Sequence, residues 1–158
     1  MIRTGIGYDC HRFAAGRRLV LGGVELRSER GLEGHSDADV LTHAIIDALL
    51  GAAALGDIGQ HFPDSDPAYH DINSIELLQK VAAMLAARGW AVGNVDATVV
   101  IEQPKLAPFA EQMRVNLSGA LAVPTGRVSV KATRGEGMGF VGRGEGAAAL
   151  AVATVTST

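Results

Sequence analysis

The chain has 158 residues, of which 47% are apolar and 20% charged, and it carries a net charge of −3. That length fits one domain with a sizeable core, expected to run over residues 1–158, rather than two. The acidic balance and the lack of a dense Lys/Arg stripe give no support to a nucleic-acid partner. No apolar run approaches the roughly 20 residues needed to span a bilayer, so no membrane partner is expected. The single cysteine, Cys10, cannot form an intrachain disulfide and fits a reducing compartment. With no apolar leader core in MIRTGIGYDCH, the protein is expected to be cytoplasmic.

Residues 3–11 read as a first strand, with small and apolar residues leading into Asp9 and His11. Two apolar triplets, Leu19-Val20-Leu21 and Val24-Glu25-Leu26, flank Gly22-Gly23, a short-hairpin signal. Ser36-Asp37-Ala38-Asp39 resembles a capping box, and the helix it opens spaces Leu41, Ile45, Ala48, Leu49 and Ala52 on one face. Residues 57–68 have turn chemistry without periodicity and read as a loop. A second helix, capped by Asn73, runs from Ser74 through Leu77, Leu78, Val81 and Leu85 to a stop at Gly89.

Residues 95–101 are β-rich, and Pro104 ends any ladder they join. A third helix follows Pro108, with Phe109, Met113, Leu117 and Leu121 in step, and Pro124 ends it. Alternation predicts a strand over 128–132, then a glycine-rich segment over 135–146. Residues 147–155 are read as a final strand because of Val152, Thr154 and Val155. Strands interleaved with three helices in one unit without repeats indicate α+β or α/β.

Asp9, His11 and His43 supply one carboxylate and two imidazoles, a set that suits zinc and leaves a coordination position open. Strand alternation puts Asp9 and His11 on one face and turns the Cys10 thiol away. Asp39, His43 and Asp47 fall on one stripe of the first helix, so His43 can project toward the strand pair with either aspartate orienting it. The same residues also suit a strand-end polar pair and a satisfied, half-buried histidine. Spacing leaves both readings open.

The 137–142 stretch matches G-x-G-x-x-G, but too little chain follows it for a dinucleotide fold. Thr133, Arg134 and the free N–H groups that follow suit a phosphate cradle, with Glu136 as a Mg²⁺ ligand. A plain surface loop explains the composition equally well.

Longer motifs narrow the choice. They are Gly7-Tyr8-Asp9-Cys10-His11, Gly34-His35-Ser36-Asp37-Ala38-Asp39, His43-Ala44, Asp47-Ala48-Leu49-Leu50-Gly51 and Gly56-Asp57-Ile58-Gly59. After them come Phe62-Pro63-Asp64-Ser65-Asp66, Pro104-Lys105, Lys131-Ala132-Thr133 and the 139–146 run GFVGRGEG. With these the chain resembles the 2-C-methyl-D-erythritol 2,4-cyclodiphosphate synthase family of the non-mevalonate isoprenoid route, in order and over nearly its full length.

The resemblance implies an α+β domain, a mixed β-sheet with helices packed on one face, assembling as a homotrimer with active sites between subunits. It implies a lyase that converts 4-diphosphocytidyl-2-C-methyl-D-erythritol 2-phosphate to the cyclodiphosphate and CMP. Asp9, His11 and His43 would bind Zn²⁺, and Glu136 would help hold Mg²⁺ or Mn²⁺ on the diphosphate. His35 and Ser36 would contact phosphate, and His35 and Arg134 are the expected catalytic residues. Asp57, Ile58 and Gly59, with Phe62, Pro63, Asp64, Ser65 and Asp66, would hold the methylerythritol phosphate. Pro104, Lys105, Leu106, Ala132 and Thr133 would line the cytidine side. Phe140, Arg143 and Glu145 would face a cavity on the threefold axis that can hold an isoprenoid diphosphate. The family commonly has threonine where Arg134 stands, so this arginine is expected either to serve the diphosphate or to face solvent. His61 and His70 match no ligand position and read as rim residues.

Overall fold

The computed structural model describes residues Met1–Thr158. Its frame is a five-stranded mixed sheet in the order β4-β1-β7-β5-β6. The strands are β1 (Ile2–Ala15), β4 (Arg30–Leu32), β5 (Trp90–Val100), β6 (Val128–Thr133) and β7 (Gly146–Ser157). Only β5 and β6 pair in parallel; the other ladders are antiparallel. A separate hairpin joins β2 (Leu19–Leu21) to β3 (Val24–Leu26) across the expected glycine pair.

Three helices cover one face of the sheet: α1 (Val40–Ala52), α3 (Ser74–Ala86) and α4 (Ala110–Leu121). Leu41, Ile45, Leu49, Leu78, Leu85, Met113 and Leu117 make the fully buried centre between them. Two single-turn helices, α2 (Ile58–His61) and α5 (Gly139–Gly142), punctuate the connections.

The first strand explains how the sheet positions a site. Its inward face reads Gly5, Gly7, Asp9, His11, paired with Ala153, Ala151, Ala149 and Ala147 of β7. A Cβ at Gly5 or Gly7 would strike the backbone carbonyls of Ala48 or Ala44, so α1 lies directly on the strand. Small residues draw the helix in, and the next two inward positions carry the polar pair beneath its first turn. The outward face carries Ile2, Ile6 and Tyr8 beside Leu150 and Val152 of β7, all substantially exposed. Cys10 is also exposed, on the side away from His11, as alternation predicts.

Several local expectations change. The cap of α1 is Asp39 rather than Ser36, because Ala38 takes φ 54° and breaks helical continuity ahead of it. Asp39 is fully buried and accepts from the Gly22 and Gly23 N–H groups, both at 2.9 Å, and from Thr42, so it ties the β2–β3 turn to the helix. Burial, helped by the charge of Asp37, pushes its carboxyl above the usual range against the pull of those N–H donors. The 57–68 stretch contains α2, started by the Asp57 side chain on Gln60 N and by Asp47, which accepts from Ile58 N at 2.8 Å. These long-range partners have no periodic trace in the sequence. No helix is long and apolar enough to cross a membrane.

Candidate active site

Asp9 and His11 on β1 meet His43 from the first turn of α1. His11 Nε2 and His43 Nδ1 lie 2.9 and 3.1 Å from Asp9 Oδ2, and the three ligand-type atoms all fall within 4.8 Å of one another. His11 Nδ1 is 2.8 Å from the Glu33 carbonyl, an acceptor only, so this nitrogen carries the proton. In neutral His11 the Nε2 lone pair therefore faces Asp9. That atom is buried, out of line for a hydrogen bond to the carboxylate, and has no other partner. Acceptor atoms aimed at one point call for a positive charge between them, and two imidazoles with a carboxylate form a borderline-hard set that fits a divalent metal.

The charges around the triad support this. Burial pushes the Asp9 carboxyl up, but its contacts with His11 and then His43 outweigh it and bring the pKa down to about 2. Burial likewise works against the His43 imidazolium, yet the hydrogen bond and charge of Asp9, with the charges of Asp39 and Asp37, raise its pKa overall. Without a metal, a proton takes the place that the geometry prepares for a cation.

Neither Asp39 nor Asp47 orients His43, contrary to expectation, since each is bonded to backbone elsewhere. The other face of the ring, Nε2, lies 2.8 Å from Ser74 Oγ and 3.1 Å from Ser36 Oγ. Ser74, fully buried at the start of α3, was missed by the sequence reading. The signal available was redundancy: Asn73 already caps α3 through Ile75 N, which leaves the Ser74 hydroxyl for another partner.

A cleft of about 330 Å³ opens over the triad, lined by Asp9, His11, His43, His35, Ser36, Ile58, Gly59, Phe62, Pro63 and Asp64. Tyr69, Ile72 and Leu77 complete it and were not foreseen. The loop that presents His35 and Ser36 is held by Arg17, whose guanidinium donates to the Leu32, Gly34 and Ser36 carbonyls. His35 Nε2 has no partner. Its ring lies 5.0 Å from that of His70, so His70 supports the cleft wall. His61 is held more firmly than a rim residue, with Nε2 2.7 Å from the Leu55 carbonyl. Asp57 and Asp66 cap their local turns, and with Ser65 they stand outside the lining.

The remaining expected residues gather elsewhere. Pro104, Lys105, Leu106, Ala132, Thr133, Arg134 and Glu136 line a second cavity of about 280 Å³ with Ile101, Glu102 and Ala107. The two cavities share no residue. Arg134 is half exposed, with Nε 3.6 Å from Glu102 Oε2, and Glu102 also accepts from Gly135 N. Glu136 holds φ 53°, a strained conformation for a residue with a side chain. Phe140 and Arg143 belong to neither cavity; Arg143 pairs with Glu145 at 2.7 Å on the surface. That pairing lowers the Glu145 carboxyl pKa and raises that of Arg143.

The model of the YgbB family matches residues 2–156. The chain belongs to the YgbB family. A 2-C-methyl-D-erythritol 2,4-cyclodiphosphate synthase of Syntrophomonas wolfei is 62% identical over 154 residues, 98% of each chain. A bifunctional enzyme IspD/IspF of Anaeromyxobacter dehalogenans is 61% identical over 152 residues; the chain spans 39% of that relative, and the match takes in 96% of this chain. Among solved structures, IspF of Plasmodium falciparum in a CDP complex superposes with a TM-score of 0.87 at 29% identity, over 99% of this chain and 97% of that one.

Proposed function

We propose that this member of the YgbB family closes 2-C-methyl-D-erythritol 2,4-cyclodiphosphate from 4-diphosphocytidyl-2-C-methyl-D-erythritol 2-phosphate, releasing CMP, in the non-mevalonate isoprenoid route. It is an enzyme of the lyase class. The observation that carries the reading is the convergence of Asp9, His11 and His43 at the floor of a cleft, with His11 Nε2 unpartnered.

The reaction needs little acid–base chemistry. The substrate's 2-phosphate is largely dianionic near neutral pH, with a second pKa of about 6, and is already a nucleophile. One P–O bond forms between its oxygen and the β-phosphorus. The bond to the CMP oxygen breaks, and CMP leaves with that electron pair. The obstacle is bringing one anion onto another. When bound, Zn²⁺ on Asp9, His11 and His43 and Mg²⁺ or Mn²⁺ near Glu136 supply charge neutralisation and polarise the phosphorus.

The chain's own groups do the positioning. His35 and the Ser36 hydroxyl donate to phosphate at the triad. Ile58, Gly59, Phe62, Pro63 and Asp64 hold the methylerythritol so that its ends meet, an entropic contribution, with Asp57 and Asp66 fixing the turns that carry them. Pro104, Lys105, Leu106, Ala132 and Thr133 take the cytidine; that a Plasmodium relative forms a CDP complex supports a nucleotide site somewhere in this fold. Arg134 exchanges its long contact with Glu102 for the diphosphate.

The complete site lies between copies. Within one chain the metal cleft and the nucleotide cavity are separate, and the outward sheet face leaves Ile2, Ile6, Tyr8, Leu150 and Val152 exposed. Packing three such faces together buries that patch and leaves Phe140, Arg143 and Glu145 toward the axis, where an isoprenoid diphosphate fits. The enzyme acts in the cytoplasm. Incubating the purified chain with the cytidyl substrate, Zn²⁺ and Mg²⁺ tests the assignment. CMP and the cyclic product are expected in equal amounts; a linear hydrolysis product instead identifies a phosphohydrolase and overturns it.

A further inference from the structure

The hydrogen bonds of Asp37 and Ser74 give the Nε2 side of His43 a preferred direction. Asp37 accepts from Ser74 N at 2.9 Å, from Asp39 N at 3.2 Å and, through Oδ1, from the Ser74 hydroxyl. A carboxylate only accepts, so the single Ser74 proton points to Asp37. The Ser74 oxygen then meets His43 Nε2, 2.8 Å away, with a lone pair, and Nε2 must carry hydrogen. On the other side Nδ1 faces the Asp9 carboxylate at 3.1 Å, so without a metal it too carries a proton; when that proton gives way to a cation, Nδ1 is the nitrogen left to ligate beside Asp9 and His11. Ser36 Oγ, 3.1 Å from Nε2, shares the Nε2 proton without altering the direction.

From this arrangement we infer that Asp37 and Ser74 are positioning residues: a carboxylate–hydroxyl relay that locks His43 in its Nε2–H tautomer and so presents Nδ1 to the metal. The inference rests on the proposed metal role of the triad. Its physical basis is that a ligating imidazole is oriented, and made a stronger donor, by the group that holds its other nitrogen. Here that group is a hydroxyl polarised by a carboxylate. The relay also joins two elements. Asp37 sits at the N-terminus of α3, where its charge is favoured, and the ring it steers stands on α1. His11 has no such device; its Nδ1 meets only the Glu33 carbonyl. The two histidines thus present opposite nitrogens, Nδ1 and Nε2, and only one is backed by an anion.

Zinc affinity measured by chelator competition, with imidazole ¹⁵N shifts of His43, tests the relay without relying on turnover. Ser74→Ala is expected to weaken zinc binding by about 10–100-fold, as for other outer-sphere partners, and to shift the Nε2 signal of zinc-loaded His43. Ser74→Thr, which keeps the hydroxyl, is expected to restore both. Wild type needs no variant to fold: its zinc-loaded His43 is expected to keep the proton on Nε2. Wild-type zinc affinity in Ser74→Ala, or no proton on Nε2 of zinc-loaded wild-type His43, overturns the relay. Failure of wild type itself to bind zinc would instead sink the metal reading on which the relay rests.

Discussion

The two cavities of this chain are built in different ways. The cleft over Asp9, His11 and His43 is prepared from inside: its residues stand on β1 and α1, with His43 held by buried Ser74 and His11 by the Glu33 carbonyl. The cavity at Pro104–Glu136 is assembled from a strand end and glycine-flanked turns, with Ala132, Thr133, Arg134 and Glu136 all exposed. In one, three ligand-type atoms already converge within 4.8 Å of one another. The other offers backbone, a cation and a strained acid to something that must arrive from outside. For the proposed reaction between two anions, a preformed charge site would fix the electrostatic work in advance, while an open surface would take the nucleotide on binding.

Breaking the prepared side has the largest effect. His43→Ala removes one ligand and leaves Asp9 and His11 with an uncompensated cluster. It is expected to lower CMP release by more than about a hundredfold and to abolish stoichiometric zinc in metal analysis. On the open side, Arg134→Thr loses one charged donor. It is expected to cost about tenfold in turnover or substrate affinity, read from steady-state kinetics with the metal content unchanged. Unchanged kinetics would place Arg134 in solvent and leave Lys105 as the cation of the second cavity.

The smallest effect is a pH response confined to the prepared side. Asp9 is depressed to about 2 from an ordinary 3.8, so its contribution to metal-free stability is present above that ordinary value and lost as pH falls toward 2. His43 is raised above 6.5, so its contribution is full below 6.5 and lost as pH rises through the raised value. Zinc requires neutral His43 and therefore has the opposite slope. The zinc-induced rise in Tm is expected to be larger at pH 8 than at pH 5.5, measured by thermal unfolding with and without the ion. A rise independent of pH would remove His43 from the ligand set.

Much of this was legible in the sequence, for identifiable reasons. Alternation alone placed Asp9 and His11 together and turned Cys10 away, and helical spacing carried His43 toward them. The β2–β3 hairpin and the final strand followed from glycine pairing and β-branched residues. What escaped depended on partners distant along the chain. Asp39 became the cap of α1 because it also binds the Gly22–Gly23 turn. Ile58 began a helix because Asp47 accepts its N–H. Ser74 reaches His43 across 31 positions, which no local pattern encodes. The separation of the expected substrate residues into two cavities was equally invisible, since motif order along a chain does not report which residues share a wall.

The central claim is that the metal cleft of one copy works with the nucleotide cavity of the next. Mixing His43→Ala chains, impaired only in the cleft, with Glu136→Ala chains, impaired only in the cavity, tests it directly. After exchange of equal amounts the account predicts recovery to about a quarter of wild-type turnover, since roughly three quarters of the trimers are mixed and each mixed trimer regains one intact site in three. Activity no higher than either variant alone, in verified mixed trimers, would contradict it.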